Sequence, residues 1–169
     1  MKKILLISDT HGYFEPGLLK HVQAADEVWH AGDIGAPEFL EHILPFKPLR
    51  AVYGNIDGAE IRKAYPELLI FNCEQVKVLM LHIGGHPGKY PAKLKALLQK
   101  EQPGLFICGH SHILKVQYDS AFNLLHMNPG ACGREGFHQV KTALTFEIEG
   151  KDIKNLSLIE FGKRSGVTS

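Results

Sequence analysis

The segment Lys3-Ile4-Leu5-Leu6-Ile7-Ser8-Asp9-Thr10-His11-Gly12 opens on an aliphatic run and ends on a polar cluster. A short continuous apolar run of this kind is the pattern of a strand buried on both faces, and the glycine lets the chain turn sharply after it. Four similar units recur downstream. Glu27–Ala31 leads to Gly32-Asp33, Leu49–Tyr53 to Gly54-Asn55-Ile56-Asp57, Val76–Leu81 to His82-Ile83-Gly84-Gly85, and Leu105–Cys108 to Gly109-His110-Ser111-His112. Between these units, Gly17–Ala24, Pro37–Leu44 and Pro91–Lys100 carry apolar residues at helical spacing, and a proline near the first turn suits the last two as helix starts. The alternation predicts an α/β fold. Leu68–Cys73 faces Val76–Leu81 across Glu74 as a hairpin. The tail reads as antiparallel strand pairs around Lys115–His126, Val140–Ile148 and Ile153–Phe161.

Strands sharing one direction would bring all five polar clusters to one rim, where open α/β sheets bind ligands. Each cluster alone has a plain structural explanation, as a turn-forming aspartate, a loop histidine or a turn asparagine. Their recurrence at one phase relative to five strands is what carries chemistry. Together they supply Asp9, His11, Asp33, Asn55, His82, His110 and His112. That set exceeds the four ligands of a closed structural zinc site and suits two ions sharing one carboxylate with positions left open. With no cysteine in any cluster, the donors favour manganese, iron, zinc or nickel over thiolate-bound metal. Other histidines read differently. His30, inside an apolar run, is expected to be a hydrogen-bonded core residue. His21 and His42 fall beside helical apolar positions as surface or boundary residues, His138 lies in a loop that carries no signal, and His126 is a candidate to support the site from behind.

At 169 residues with 44% apolar content, the chain suits one core and a single domain over 1–169. A formal net charge of +1 gives no basic stripe for nucleic acid, so a small-molecule partner is expected. The run Ile4–Ile7 is shorter than a signal peptide's apolar segment, and nothing approaches the roughly 20 apolar residues of a membrane span. Cys73, Cys108 and Cys132 are odd in number and scattered, which argues against a disulfide framework and suits a reducing, cytoplasmic location. The number of subunits is open, a homo-oligomer included.

Taken in order, Asp9-x-His11, Gly32-Asp33, Gly54-Asn55-x-Asp57, His82 after a strand, Gly109-His110-x-His112 and the turn Asn128-Pro129-Gly130 resemble the motifs of the calcineurin-like metallophosphoesterase superfamily. The resemblance covers nearly the whole chain and is strongest to the small, single-domain YfcE-type phosphodiesterases. It implies a four-layer αββα sandwich, two mixed sheets flanked by helices, with a dinuclear metal site at the strand C-terminal ends. Asp9, His11 and His112 would hold one ion, Asn55, His82 and His110 the other, and Asp33 would bridge them. It further implies two divalent ions, manganese first and zinc, iron or nickel as alternatives, and a bridging hydroxide that hydrolyses a small or nucleotide-like phosphodiester. The same fold also serves as a non-catalytic scaffold, the rival reading. Nucleases of this superfamily carry added capping or DNA-binding segments for which this chain has no room.

Two departures stand out. Ile83 separates His82 from Gly84, where the family pattern has glycine directly after the histidine. Ile56 stands where many members have a histidine that protonates the leaving group, and it has no proton to give. His86 is the nearest replacement acid in sequence, with an exposed loop histidine as its plain explanation, and Arg134 is a candidate phosphate contact.

Overall fold

Ile4, Leu5, Leu6 and Ile7 are all fully buried, and alternate residues face opposite sides: Ile4 and Leu6 join one apolar cluster, Leu5 and Ile7 another. Strand β1 (Lys2–Ile7) is therefore the centre of a layered structure, with side chains pointing both ways by the two-residue period of the strand. The computed structural model describes residues 1–164; residues 165–169 of the predicted domain lie outside the described part. After β1 come a 3-10 turn (Pro16–Leu18), α1 (Leu19–Ala24), β2 (Glu27–His30), α2 (Pro37–Leu40), β3 (Leu49–Ala51), α3 (Ala59–Ala64), β4 (Leu68–Cys73) and β5 (Val76–Leu81). The chain continues with α4 (Ala92–Glu101), β6 (Leu105–Ile107), β7 (Leu114–Asp119), β8 (Leu124–Pro129), β9 (Val140–Glu149) and β10 (Asp152–Lys163).

The strands form two five-stranded mixed sheets, ordered β10-β9-β1-β2-β3 and β4-β5-β6-β8-β7. In the first, β1, β2 and β3 are parallel, and β9 runs antiparallel to both β1 and β10. In the second, β5, β6 and β8 are parallel, with β4 and β7 antiparallel at the edges. Ile4, Leu6, Trp29 and Phe146 of one sheet meet Val78, Met80, Ile107 and Met127 of the other in the central layer. Val22, Phe39 and Ile61 from α1, α2 and α3 cover the outer face of the first sheet, and Leu94 and Leu98 from α4 cover the second. This is the expected four-layer arrangement. All five predicted clusters follow parallel strands, so their loops emerge at strand C-terminal ends.

The differences from expectation are local. Helix α2 stops at Leu40, not Leu44; the chain continues in turns bonded three residues back, such as His42 N–H to Phe39 O (3.1 Å). Pro45 bars a helix from continuing past Leu44, because a proline disfavours the helical conformation at the residue before it. Helix α3 gave no periodic signal, since only Ile61 of its six residues is buried. The first expected helix opens as a 3-10 turn at Pro16.

His30 is a core residue as expected: its Nε2 lies 2.8 Å from Thr10 Oγ1, and its Nδ1 accepts the Gly32 N–H (3.1 Å). His126 faces away from the polar clusters, against Tyr90, whose hydroxyl is 2.9 Å from its Nδ1. It packs behind Cys108 and touches none of the predicted ligands. Burial pushes both imidazoles down to about 4. Below pH 6.5 the unfolded chain therefore takes up protons that the folded chain refuses. Stability is complete above that value and is lost progressively as pH falls toward 4. The urea midpoint at pH 5 should lie below that at pH 7.5, with a shallower fall in His126→Gln; identical pH dependence in the two proteins would contradict the assignment.

Candidate metal centre

Of the non-glycine residues with left-handed backbone among those described, five are predicted ligands: Asp9 (φ 53°), His11 (47°), Asp33 (57°), His110 (70°) and His112 (60°). The others, Glu74, Gln102, Asn123 and Asn155, sit at hairpin turns, a helix end and a strand irregularity. Such a conformation costs roughly 1–3 kcal/mol at a non-glycine residue and persists only where its surroundings enforce it. Here it turns each loop at once after its strand and aims the side chain inward. Two glycines permit the close packing that results. A Cβ on Gly109 would lie 2.1 Å from Ser8 Oγ, and one on Gly54 would lie 2.0 Å from Asp33 Oδ1.

Both aspartates use one oxygen to fix themselves and present the other. Asp9 Oδ2 accepts from Ser8 Oγ–H (2.6 Å) and from the His110 N–H (3.1 Å), while Oδ1 faces His112 Nε2 at 3.2 Å and His82 Nε2 at 3.7 Å. Asp33 Oδ1 accepts the Ile56 N–H (3.1 Å), while Oδ2 faces His82 Nε2 at 3.2 Å and His11 Nε2 at 3.5 Å. Burial would raise Asp9, but His112, His82 and Ser8 outweigh it and hold the carboxyl below its ordinary value. Burial is likewise overcome at Asp33 by His11, His82 and the Ile56 N–H, which hold it well below the usual carboxylate range. In return the Asp33 carboxylate raises His11, and the two carboxylates raise His82 against its burial.

The histidine rings are oriented from behind. His82 Nδ1–H donates to the Ala31 carbonyl (2.7 Å), which leaves the Nε2 lone pair toward the aspartates. His138 Nε2 lies 2.7 Å from Gly133 O, and its Nδ1 lies 3.1 Å from His112 Nδ1. With Nε2–H donating to Gly133, neutral His138 accepts the His112 Nδ1–H, and His112 Nε2 is left with a lone pair facing Asp9. Burial lowers His138, which favours this neutral form. His110 Nδ1 meets Asn55 Oδ1 at 3.0 Å. Asp57 ties two loops together by accepting N–H groups of Ile34, Gly35 and Gly54 (3.1, 2.8 and 2.8 Å), and Asn128 Nδ2 donates to Gly109 O and Ser111 Oγ (both 3.1 Å).

All seven predicted residues therefore converge. Ligand atoms of Asp9, His11 and His112 lie within 4.8 Å of one another, and so do those of Asp33, His82 and His110. Asp9 Oδ1, His11 Nε2 and His82 Nε2 are buried with no hydrogen-bond partner. Buried polar atoms are nearly always paired, so three converging unpaired donor atoms fit divalent cations, which carboxylate and imidazole suit. Sequence reading missed Ser8 and His138. Ser8 looked like a strand end, and no local spacing links His138 to His112, 26 residues away. His86 is exposed, with its Nδ1 3.1 Å from Pro87 O, and it lines neither of two cavities flanking the cluster. Arg134 does line one of them, beside His11, with its guanidinium 4.1 Å from the Tyr13 ring centre.

The chain belongs to the calcineurin-like phosphoesterase superfamily, whose domain model matches residues 1–151. A probable metallophosphoesterase of Mycoplasma pneumoniae is 29% identical over 140 residues, covering 78% of this chain and 79% of the relative. Solved structures that share the fold include an archaeal phosphodiesterase and a Vps29. The archaeal phosphodiesterase superposes with a TM-score of 0.70 at 20% identity, covering 93% of this chain and 99% of the other. Vps29 of Chaetomium thermophilum does so with 0.74 at 14% identity, covering 96% and 100%.

If His138 orients His112, His138→Ala should weaken divalent-metal binding about 10–100-fold, the usual effect of losing a partner behind a ligand. Titration with Mn²⁺ followed by calorimetry measures this; an unchanged affinity would show that His138 is packing only.

Proposed function

We propose that this chain, as one domain over 1–169, hydrolyses a phosphodiester bond of a small or nucleotide-like substrate with two divalent ions, manganese first and zinc, iron or nickel as alternatives. The observation that supports this most is the convergence of Asp9 Oδ1, His11 Nε2 and His82 Nε2 as buried atoms without partners. In this reading Asp9, His11 and His112 hold one ion, Asn55, His82 and His110 hold the other, and Asp33, whose Oδ2 faces both His11 and His82, is shared. Bound divalent ions supply neutralisation of phosphoryl charge and acidification of water. The chain's own residues fix the donor atoms, through Ser8 on Asp9, the Ala31 carbonyl on His82 and His138 on His112. Arg134, which lines the cavity beside His11, would contact a phosphoryl oxygen in this reading.

A non-catalytic scaffold is the alternative reading, and the fold shared with Vps29 is compatible with either. The intact donor set supports metal binding, which the hydrolytic reading requires. Substrate access matches a small molecule, since the flanking cavities measure about 620 and 200 Å³. A cytoplasmic location accords with three buried cysteines, none in a disulfide. Among the described residues, no helix is long and apolar enough to cross a membrane.

Ile56 is 46% exposed and uses its backbone N–H on Asp33, so its position contributes no proton donor. Since a general acid is worth about 10²–10⁴-fold, the rate should fall steeply as leaving-group pKa rises. Bis(p-nitrophenyl) phosphate should be hydrolysed in the presence of Mn²⁺, and both a chelator and Asp33→Asn should abolish turnover. Turnover insensitive to both would contradict the metal reading, and a rate flat across leaving groups would show an acid supplied from elsewhere. His86→Ala should leave the pH profile unchanged.

A further inference from the structure

The larger cavity, about 620 Å³, begins at Asn55 and His82 and runs away from the metal cluster between the loop after β3, the start of β4 and helix α4. Leu68, Leu81, Leu94 and Leu97 line it, Tyr53 forms one side, and Lys93 stands at its edge. Leu68 and Leu81 are register partners across β4 and β5, so the apolar wall rests on paired backbone. Tyr53 is held from two sides: the Arg62 guanidinium lies 4.6 Å from its ring centre, and its hydroxyl donates to Glu67 Oε2 at 3.4 Å. Arg62 is in turn tied to the loop itself, with Nε donating to Asp57 O (2.6 Å) and Nη2 to Asn55 O (3.2 Å). Arg62 thus links the aromatic wall to the loop that carries the predicted ligand Asn55.

The opposite side of the cluster is different. The cavity at His11 is about 200 Å³ and is lined by polar and charged groups, Arg134 and Glu135 among them. It has room for phosphoryl oxygens or a small alcohol and offers little apolar surface. A phosphodiester carries two ester groups, and these two cavities would treat them unequally.

We propose that the large cavity is the specificity site for one ester group of the substrate, and that it selects a bulky alcohol with a flat, largely apolar face, such as an aryl or nucleoside group. This rests on the phosphodiesterase reading but adds the substrate class to it. Three observations support a substrate group over a docked protein segment. The cavity shares Asn55 and His82 with the metal cluster, so its occupant reaches the phosphoryl centre. Its volume falls within the usual range of small-molecule sites. Lys93 has no ion-pair partner among the described residues, which leaves a cation beside the entrance for an anionic ligand.

The test uses Mn²⁺-loaded full-length protein and two non-hydrolysable probes, methylphosphonate and phenylphosphonate, titrated by calorimetry. Phenylphosphonate should bind about tenfold more tightly, as burial of one ring face provides. In Leu97→Trp and in Lys93→Trp, both of which fill the cavity, the ratio should fall to within about twofold with metal content unchanged; methylphosphonate affinity should stay unchanged in Leu97→Trp and weaken in Lys93→Trp, which also removes the cation. Lys93 is exposed, so its variant stands if the other fails to fold. Equal affinities in the wild type, or a ratio unchanged in the folded variants, would overturn the proposal, and the cavity would then be open to a docked peptide. An aryl preference without diester hydrolysis would support the cavity assignment and defeat the hydrolytic reading. Hydrolysis without an aryl preference would do the reverse.

Discussion

Two carboxylates, Asp9 and Asp33, lie buried at the ends of adjacent parallel strands, each with one oxygen tied down and the other directed at imidazole nitrogens. An isolated buried carboxylate is costly, and the penalty is removed only by nearby positive charge with good geometry. His11 and His82, whose imidazoles these carboxylates raise, face them, yet Asp9 Oδ1, His11 Nε2 and His82 Nε2 are left without a hydrogen-bond partner. Cations among these atoms would satisfy all of them together. The remaining features of the site follow from keeping these two oxygens free and in place.

The fold meets this requirement through its parallel strands. β1, β2 and β3 in one sheet and β5 and β6 in the other deliver their following loops to one end of the sandwich. Five residues in left-handed conformation turn those loops immediately, so that side chains from both sheets meet without long connecting segments. The strain is sustained by cross-links between loops: Asp57 to Ile34 and Gly35, Asn128 to Gly109, the His110 N–H to Asp9. Removing one such link should loosen several donor atoms together, because no ligand loop is fixed by its own strand alone.

Much of this was legible from local pattern. The five apolar runs ended in polar clusters at a constant phase, and that phase survives folding because parallel strands all point the same way. The second sheet's hairpin was visible at Glu74, whose left-handed φ of 52° lets a two-residue turn close the pair. What escaped was long-range or short. His138 earns its place only by the return of the chain after β8, a contact without any spacing rule. Helix α3 buries one side chain, too few to show a period, yet it carries Arg62, which clamps the Asn55 loop. His126 precedes the Asn128-Pro129-Gly130 turn in sequence but packs against Tyr90 and behind Cys108, and it is Asn128, two residues nearer the end of β8, that supports the metal loop.

Crystals grown with Mn²⁺ and measured near the manganese absorption edge test the central claim most directly. Two anomalous peaks are predicted, one touching Asp9, His11 and His112, the other touching Asn55, His82 and His110, with an Asp33 oxygen in contact with both. A single peak, or a pair that leaves Asp33 uncoordinated, would contradict it.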